Sequence, residues 1–187
     1  MTKKIYEKLA IMFYPQNIDC IMEKNLYIES PEYTNLLELS NYFKNNNNID
    51  LLLSSLKKQN LEFSDVSLLD WQDRCFTLEK NIQKNNKNFK VIIYLSYIIP
   101  AYLIEFFEND IDIVTKEWLT FPKRNIDLFN SEYLDIKNKI CQIIENEFNY
   151  YEFPNNFINE KILNLSFQDI RFNQFTMYNA FFKNDFI

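Results

Sequence analysis

None of the 187 residues is glycine. Average usage of about 7% would put roughly 13 in a chain of this length. The first consequence is conformational: any backbone position that needs φ > 0 must be filled by a residue carrying a Cβ, and asparagine is the next most tolerant. The run Asn45-Asn46-Asn47-Asn48 joins two helical segments, so it is predicted to be a connection in which asparagine takes glycine's place. The second consequence is chemical. Glycine lets a backbone approach a phosphate closely, and without it GxxxxGK[ST], GxGxxG and the GxSxG nucleophile elbow are all absent.

Histidine is absent too. That removes Ser-His-Asp and Cys-His catalysis, an imidazole base near neutral pH, and His-ligated zinc. The three cysteines, Cys20, Cys75 and Cys141, are far apart and form no CxxC pair, so reduced, mostly buried thiols are expected rather than a disulfide framework or a zinc site. Carboxylates, lysines and tyrosines are the chemistry that remains. The N-terminal "MTKKIYEKLAIMFY" has Glu7 and Lys8 where a signal peptide would be apolar, and it reads as helical and cytoplasmic.

The length suits one domain, 1–187, and 18 Phe, 12 Tyr and 2 Trp supply ample core material. Ile5, Leu9, Met12 and Phe13 recur at helical spacing over residues 3–13. A second helix starts at Pro31 behind a Ser30 cap, with Tyr33, Leu36, Leu37 and Phe43 as its stripe. A third spans about 49–58, where Ile49, Leu52, Leu53 and Leu56 share a face. Residues 131–148 give the clearest helical pattern, with Tyr133, Ile136, Ile140, Ile143, Ile144 and Phe148 at steps of three and four behind Ser131.

Between these helices lies "VIIYLSYIIPAYLI", residues 91–104, fourteen residues without a charge. As a helix they would rise only about 21 Å, short of the ~30 Å hydrocarbon core, and Pro100 would break it. As strands they fit better. Phe89, Val91, Ile93, Leu95 and Tyr97 alternate with Ile92, Tyr94 and Ile98, giving a strand that is apolar on both faces; it is either covered on both sides or offers its second face to another molecule. "DRCFTLEKNI" (73–82) is the preceding hairpin arm, "AYLIEFFE" follows the proline, and "DIVTKEWLTF" (112–121) is a candidate neighbour. "ILNLSFQDIRF" and "FTMYNAFF" are expected to supply a last strand and a docking terminus. The fold class is therefore α+β: N-terminal helices, a central antiparallel sheet, and the long helix 131–148 packed on it.

Two acidic clusters could do chemistry. Asp65, Asp70 and Asp73 form one; Glu105, Glu108, Asp110 and Asp112 form the other. Both could hold Mg²⁺ or Ca²⁺ through oxygen ligands, and both are equally what turns and strand ends look like. Nothing else supplies substrate-binding groups, so no metal, no cofactor and no enzymatic activity are expected. The net charge of −6 and the lack of a basic patch argue against nucleic acid.

Between residues 105 and 117, Glu105, Glu108, Asp110, Asp112 and Glu117 interleave with Phe106, Phe107 and Ile111 against Lys116 alone. Such a surface suits a basic protein partner, because charge speeds encounter while buried aromatics supply most of the holding energy. Glu105, Phe107, Glu108, Asp110, Asp112, Glu117 and Trp118 are accordingly the candidate partner-binding residues. A carboxylate-based metal enzyme and a structural subunit, self-associating as a homodimer through the apolar strand pair, are the two alternative readings.

The segments "FKVIIYLSYIIPAYLIEFF" and "FQDIRFNQFTMYNAFF" carry a resemblance across residues 89–187. An apolar strand, a proline, a second aromatic strand and a closing apolar segment resemble the immunity proteins that bacteria carry beside polymorphic or contact-dependent toxins. The resemblance implies a cytoplasmic non-enzyme that binds one cognate toxin tightly; it assigns no functional residues.

Overall fold

A computed structural model describes residues 2–45, 49–69, 73–84, 87–109, 123–124 and 131–184. The chain is α+β. The helices are α1 (Lys3–Ala10), α2 (Lys24–Ile28), α3 (Pro31–Asn45), α4 (Ile49–Lys58), α5 (Ser131–Phe148) and α6 (Met177–Phe181). The strands are β1 (Ser64–Asp65), β2 (Cys75–Lys84), β3 (Lys87–Ser96), β4 (Ala101–Asn109), β5 (Lys123–Arg124) and β6 (Tyr151–Glu152). They form one six-stranded sheet in the order β1-β2-β3-β4-β5, with β6 pairing in parallel against the start of β4.

The uncharged run straddles the β3–β4 hairpin. Ser96 makes the turn without glycine, its hydroxyl accepting the backbone N–H of Ile98 and Ile99 at 3.2 and 3.3 Å. Among the described residues no helix is long and apolar enough to cross a membrane.

Alternation sorts the strands into two faces. The register Phe76↔Leu95↔Tyr102, Leu78↔Ile93↔Ile104 and Val91↔Phe106 builds the first face, which is buried nearly throughout. Helices α3, α4 and α5 cover it. Phe43 of α3 lies 6.3 Å from Phe76 and stacks on Tyr97 at 5.7 Å, and the Tyr102 hydroxyl donates to Glu145 of α5 at 2.7 Å. Of the α5 stripe, Ile140, Ile143 and Ile144 are buried and Ile136 and Phe148 pack against the core, as their spacing predicts, while the Tyr133 side chain lies outside what is described.

Sequence-distant segments meet on the other side of the sheet. The N-terminal residues pack against residues 153–182, joined by rings: Tyr6 sits 4.8 Å from Phe153 and 5.9 Å from Phe181, and Tyr14 lies 4.9 Å from Phe175 and 5.4 Å from Phe167. The tyrosine hydroxyls are satisfied, Tyr14 donating to the Ala180 carbonyl and Tyr27 to that of Ser166, each at 2.8 Å. A fully buried large side chain contributes about 1.5–3 kcal/mol. This aromatic layer therefore outweighs any single hydrogen bond in holding the two chain ends together.

Arg74, the residue before β2, is completely buried at the centre of this layer. Its Nε and Nη2 donate to the Asn179 carbonyl at 3.0 and 2.7 Å, Nη2 also donates to Asn184 Oδ1 at 2.8 Å, and the guanidinium lies over the Phe167 ring at 5.0 Å.

Glycine's role passes to amides. The described residues with positive φ are Asn17, Asn60, Asn149, Asn164, Gln168 and Asn173. Asn60 closes α4: its N–H reaches the Lys57 carbonyl and the Leu61 N–H reaches that of Leu56, both at 3.0 Å, the bond pair of a Schellman ending. Asn149 turns the chain out of α5 in the same conformation. The predicted connection at Asn46–Asn48 lies outside the described residues, as does the predicted strand at 112–121.

Three sequence expectations are corrected. The first helix ends at Ala10 and gives way to turns, not Phe13. Leu37, placed on the buried stripe of α3, is exposed, and Ser40 is buried instead. "ILNLSFQDIRF" forms turns and isolated bridges, Lys161↔Thr176 and Phe167↔Ile170, and no strand. "FTMYNAFF" docks as expected, as the short buried helix α6, where Thr176 and Asn179 cap each other reciprocally. Ser30 likewise caps α3 as expected, accepting the Tyr33 N–H at 3.2 Å.

Candidate functional site

The second face of the sheet changes character along its length. At the end nearest the β3–β4 turn, Cys75, Thr77, Tyr94, Ser96, Ala101 and Leu103 are all buried. The C-terminal segment covers them, with Tyr178 edge-on to Tyr94 at 6.1 Å and the Lys183 ammonium 4.7 Å from the same ring. Further out on the same strands, Glu79, Lys90, Ile92, Glu105 and Phe107 are half-buried and Asn81 is exposed. The register sets Ile92 opposite Glu79 on one side and Glu105 on the other, and Lys90 opposite Phe107. Lys90 Nζ lies 2.9 Å from Glu79 Oε2.

The result is a hydrogen-bonded strand platform with two apolar side chains, Ile92 and Phe107, among carboxylates and an ammonium. Two of the seven candidate residues, Glu105 and Phe107, stand together on it. Glu108 continues the same strand but has the opposite parity, registering with Phe89 of the first face and with Lys123, so it is not part of the platform, while Phe107 registers opposite Arg124. Asp110, Asp112, Glu117 and Trp118 lie outside the described residues. Sequence reasoning missed Ile92, Glu79 and Lys90 as members of this surface. Strand alternation could have found them, because each shares the parity of Glu105 and Phe107 once the register is fixed. Lys90 and the backbone of β5 bring basic residues to a region that the sequence presents as acidic.

Of the other cluster, Asp65 and Asp73 are among the described residues. Asp65 is exposed in β1, where its Oδ1 accepts from the backbone N–H and hydroxyl of Ser67 at 2.9 and 2.5 Å, an ordinary turn contact. Asp73 is half-buried beside Arg74, and burial pushes its carboxyl above the usual range, opposed by the charges of Arg74 and Lys183. Asp70 lies outside the described residues. Among the described residues no group of three or more Cys, Asp or Glu side chains could hold a metal ion.

The thiols are not activated. Burial pushes Cys75 up to about 12 and raises Cys20 and Cys141 as well. A raised thiol pKa leaves little thiolate at neutral pH, which is the opposite of what a nucleophile needs. Comparison with protein-family models, with curated proteins and with solved structures finds no match for this chain.

Proposed function

We propose that this chain is an immunity-type inhibitor: a cytoplasmic, non-enzymatic bacterial protein that binds and neutralises a basic cognate toxin domain through the outer half of the second sheet face. The observation that carries this reading is the graded cover of that face, buried by the C-terminal segment over one half and only half-buried at Ile92, Glu105 and Phe107 over the other. A rigid strand platform places an aromatic anchor at low entropic cost, and the net charge of −6 favours encounter with a basic partner. Glu105 would steer or pair with a partner's cation, Phe107 would enter a pocket on the partner, and Glu108, Asp110, Asp112, Glu117 and Trp118 continue the same stretch of chain.

The test is co-expression with the toxin domain encoded by the adjacent reading frame, with growth and affinity as readouts. The wild type should rescue growth, while Phe107→Ala and Glu105→Lys should each weaken binding by about tenfold or more, the charge reversal more severely at low salt. Undiminished affinity in both variants would remove this face from the interface, and failure of the wild type to bind or rescue would remove the function itself.

A further inference from the structure

On the opposite, helix-covered side of the sheet the core contains an apolar cleft of about 170 Å³. Its floor is Leu52 of α4, Phe76 of β2 and Leu95 of β3, all buried, together with Ile49 at the start of α4. Three half-buried rings form the rim: Phe43 near the end of α3, Phe148 at the end of α5, and Tyr150. Asn149, with φ 56°, ends the helix in the left-handed conformation and so sets Tyr150 at the rim rather than one turn further along α5.

Protein interiors are close-packed, and an empty apolar space forfeits the dispersion contacts of every group around it. Here the cleft opens through an aromatic-rich layer, between the apolar floor and the three rim rings. Apolar cavities of roughly 150 Å³ accommodate a benzene ring. Tyr150 is the one lining residue with a polar side chain; its hydroxyl forms no hydrogen bond with another described residue, and burial weakens its acidity.

We infer that this cleft is a binding site for a small aromatic molecule carrying one hydrogen-bonding group, of the phenol class, with the ring on the Leu52–Phe76–Leu95 floor and its polar atom at the Tyr150 hydroxyl. The site lies on the other face from the proposed toxin platform, and the inference is independent of that function.

Calorimetric titration of the full chain with phenol and, separately, toluene tests it. Phenol should bind saturably at millimolar concentration or below, as expected for so few heavy atoms, and toluene more weakly. Tyr150→Phe should weaken phenol by about tenfold, the value of one hydrogen bond, and leave toluene within roughly twofold. Ile49→Phe, which fills the floor, should abolish both. The inference is overturned if neither compound binds saturably, if the filled variant binds as the wild type does, or if Tyr150→Phe weakens the two compounds equally. Should Ile49→Phe fail to fold, the Tyr150→Phe comparison decides alone, since that change removes a single oxygen that bonds no other described residue.

Discussion

Replacing Arg74 tests whether the C-terminal segment is held by a directed fork or by burial in general. The guanidinium donates hydrogen bonds of 3.0 and 2.7 Å to the Asn179 carbonyl and of 2.8 Å to Asn184 Oδ1, and lies 5.0 Å from the Phe167 ring centre. Hydrogen bonds to charged groups are each worth about 1.5–3 kcal/mol net, and the ring contact adds roughly 1–2 kcal/mol when desolvated. Against that stands the cost of stripping water from the ion, several kcal/mol that the variant recovers.

Arg74→Ala also opens a cavity and leaves two buried acceptors without a donor. The net loss should therefore be about 4 kcal/mol, or roughly 8–16 °C in Tm for a chain of this size. Arg74→Lys keeps the charge and loses the fork, since an ammonium on a flexible stem cannot reproduce the paired N–H geometry; it should lose about 2 kcal/mol. The backbone bonds from Arg74 N–H to the Phe182 carbonyl (2.7 Å) and from Tyr97 N–H to the Arg74 carbonyl (3.1 Å) persist in both variants, so the fold should survive. Urea unfolding followed by far-UV circular dichroism gives the free energies, and chymotryptic cleavage within residues 160–184 reports undocking. An Ala variant within about 1 kcal/mol of wild type, or a Lys variant indistinguishable from it, would refute the reasoning.

Two further outcomes follow from backbone conformation and from charge. Asn60 holds φ 60° at the end of α4, so Asn60→Ala should destabilise by about 1 kcal/mol while Asn60→Gly is neutral or stabilising; equal stabilities in thermal melts would contradict the left-handed assignment. Burial raises the Asp73 carboxyl above its unfolded value, so between those two values the native state binds more protons and stability falls as pH rises. Asp73→Asn should therefore be more stable than wild type at neutral pH, with the advantage vanishing on acidification below the ordinary carboxylate range. A difference that is constant with pH, or that grows on acidification, would refute it.

Much of the framework was legible because it is local. The α5 stripe, the Ser30 cap and the two strands around Pro100 are each specified by residues within one element or its flanks. What was not legible is non-local. Residues 162–172 alternate enough to read as a strand, yet their partners are distant: Tyr27 takes the Ser166 carbonyl, Cys20 N–H reaches the Ser166 hydroxyl at 2.9 Å, and Asn17 N–H reaches the Asn164 carbonyl at 3.0 Å. Tertiary contacts with the N-terminal segment replaced the ladder bonds a strand would have made. Arg74 carries no local sign of burial, because its acceptors lie 105 and 110 residues away. The candidate site divides the same way: strand parity places Glu105 and Phe107 on one face, but only the docking of Tyr178 and Lys183 decides which half of that face is covered.

That division bears on what the outer half of the face is for. Ile92 and Phe107 stop short of full burial, so each forgoes part of the roughly 1.5–3 kcal/mol that burial would contribute to folding. The Lys90–Glu79 pair beside them, each side chain about a fifth to a quarter exposed, returns little. Ion pairs at the protein surface are worth about 0–1 kcal/mol, and partial cover brings a desolvation cost of its own. Neither feature is thus explained by stability of the isolated chain. Both are explained if a second molecule completes the burial of the apolar pair, and then the 2.9 Å ion pair at its margin can exchange partners across the contact. Lys90→Met separates the cases: if the pair serves folding alone, partner affinity should be unchanged, whereas a margin role shifts the affinity and its salt dependence while the melting temperature moves by no more than a few degrees.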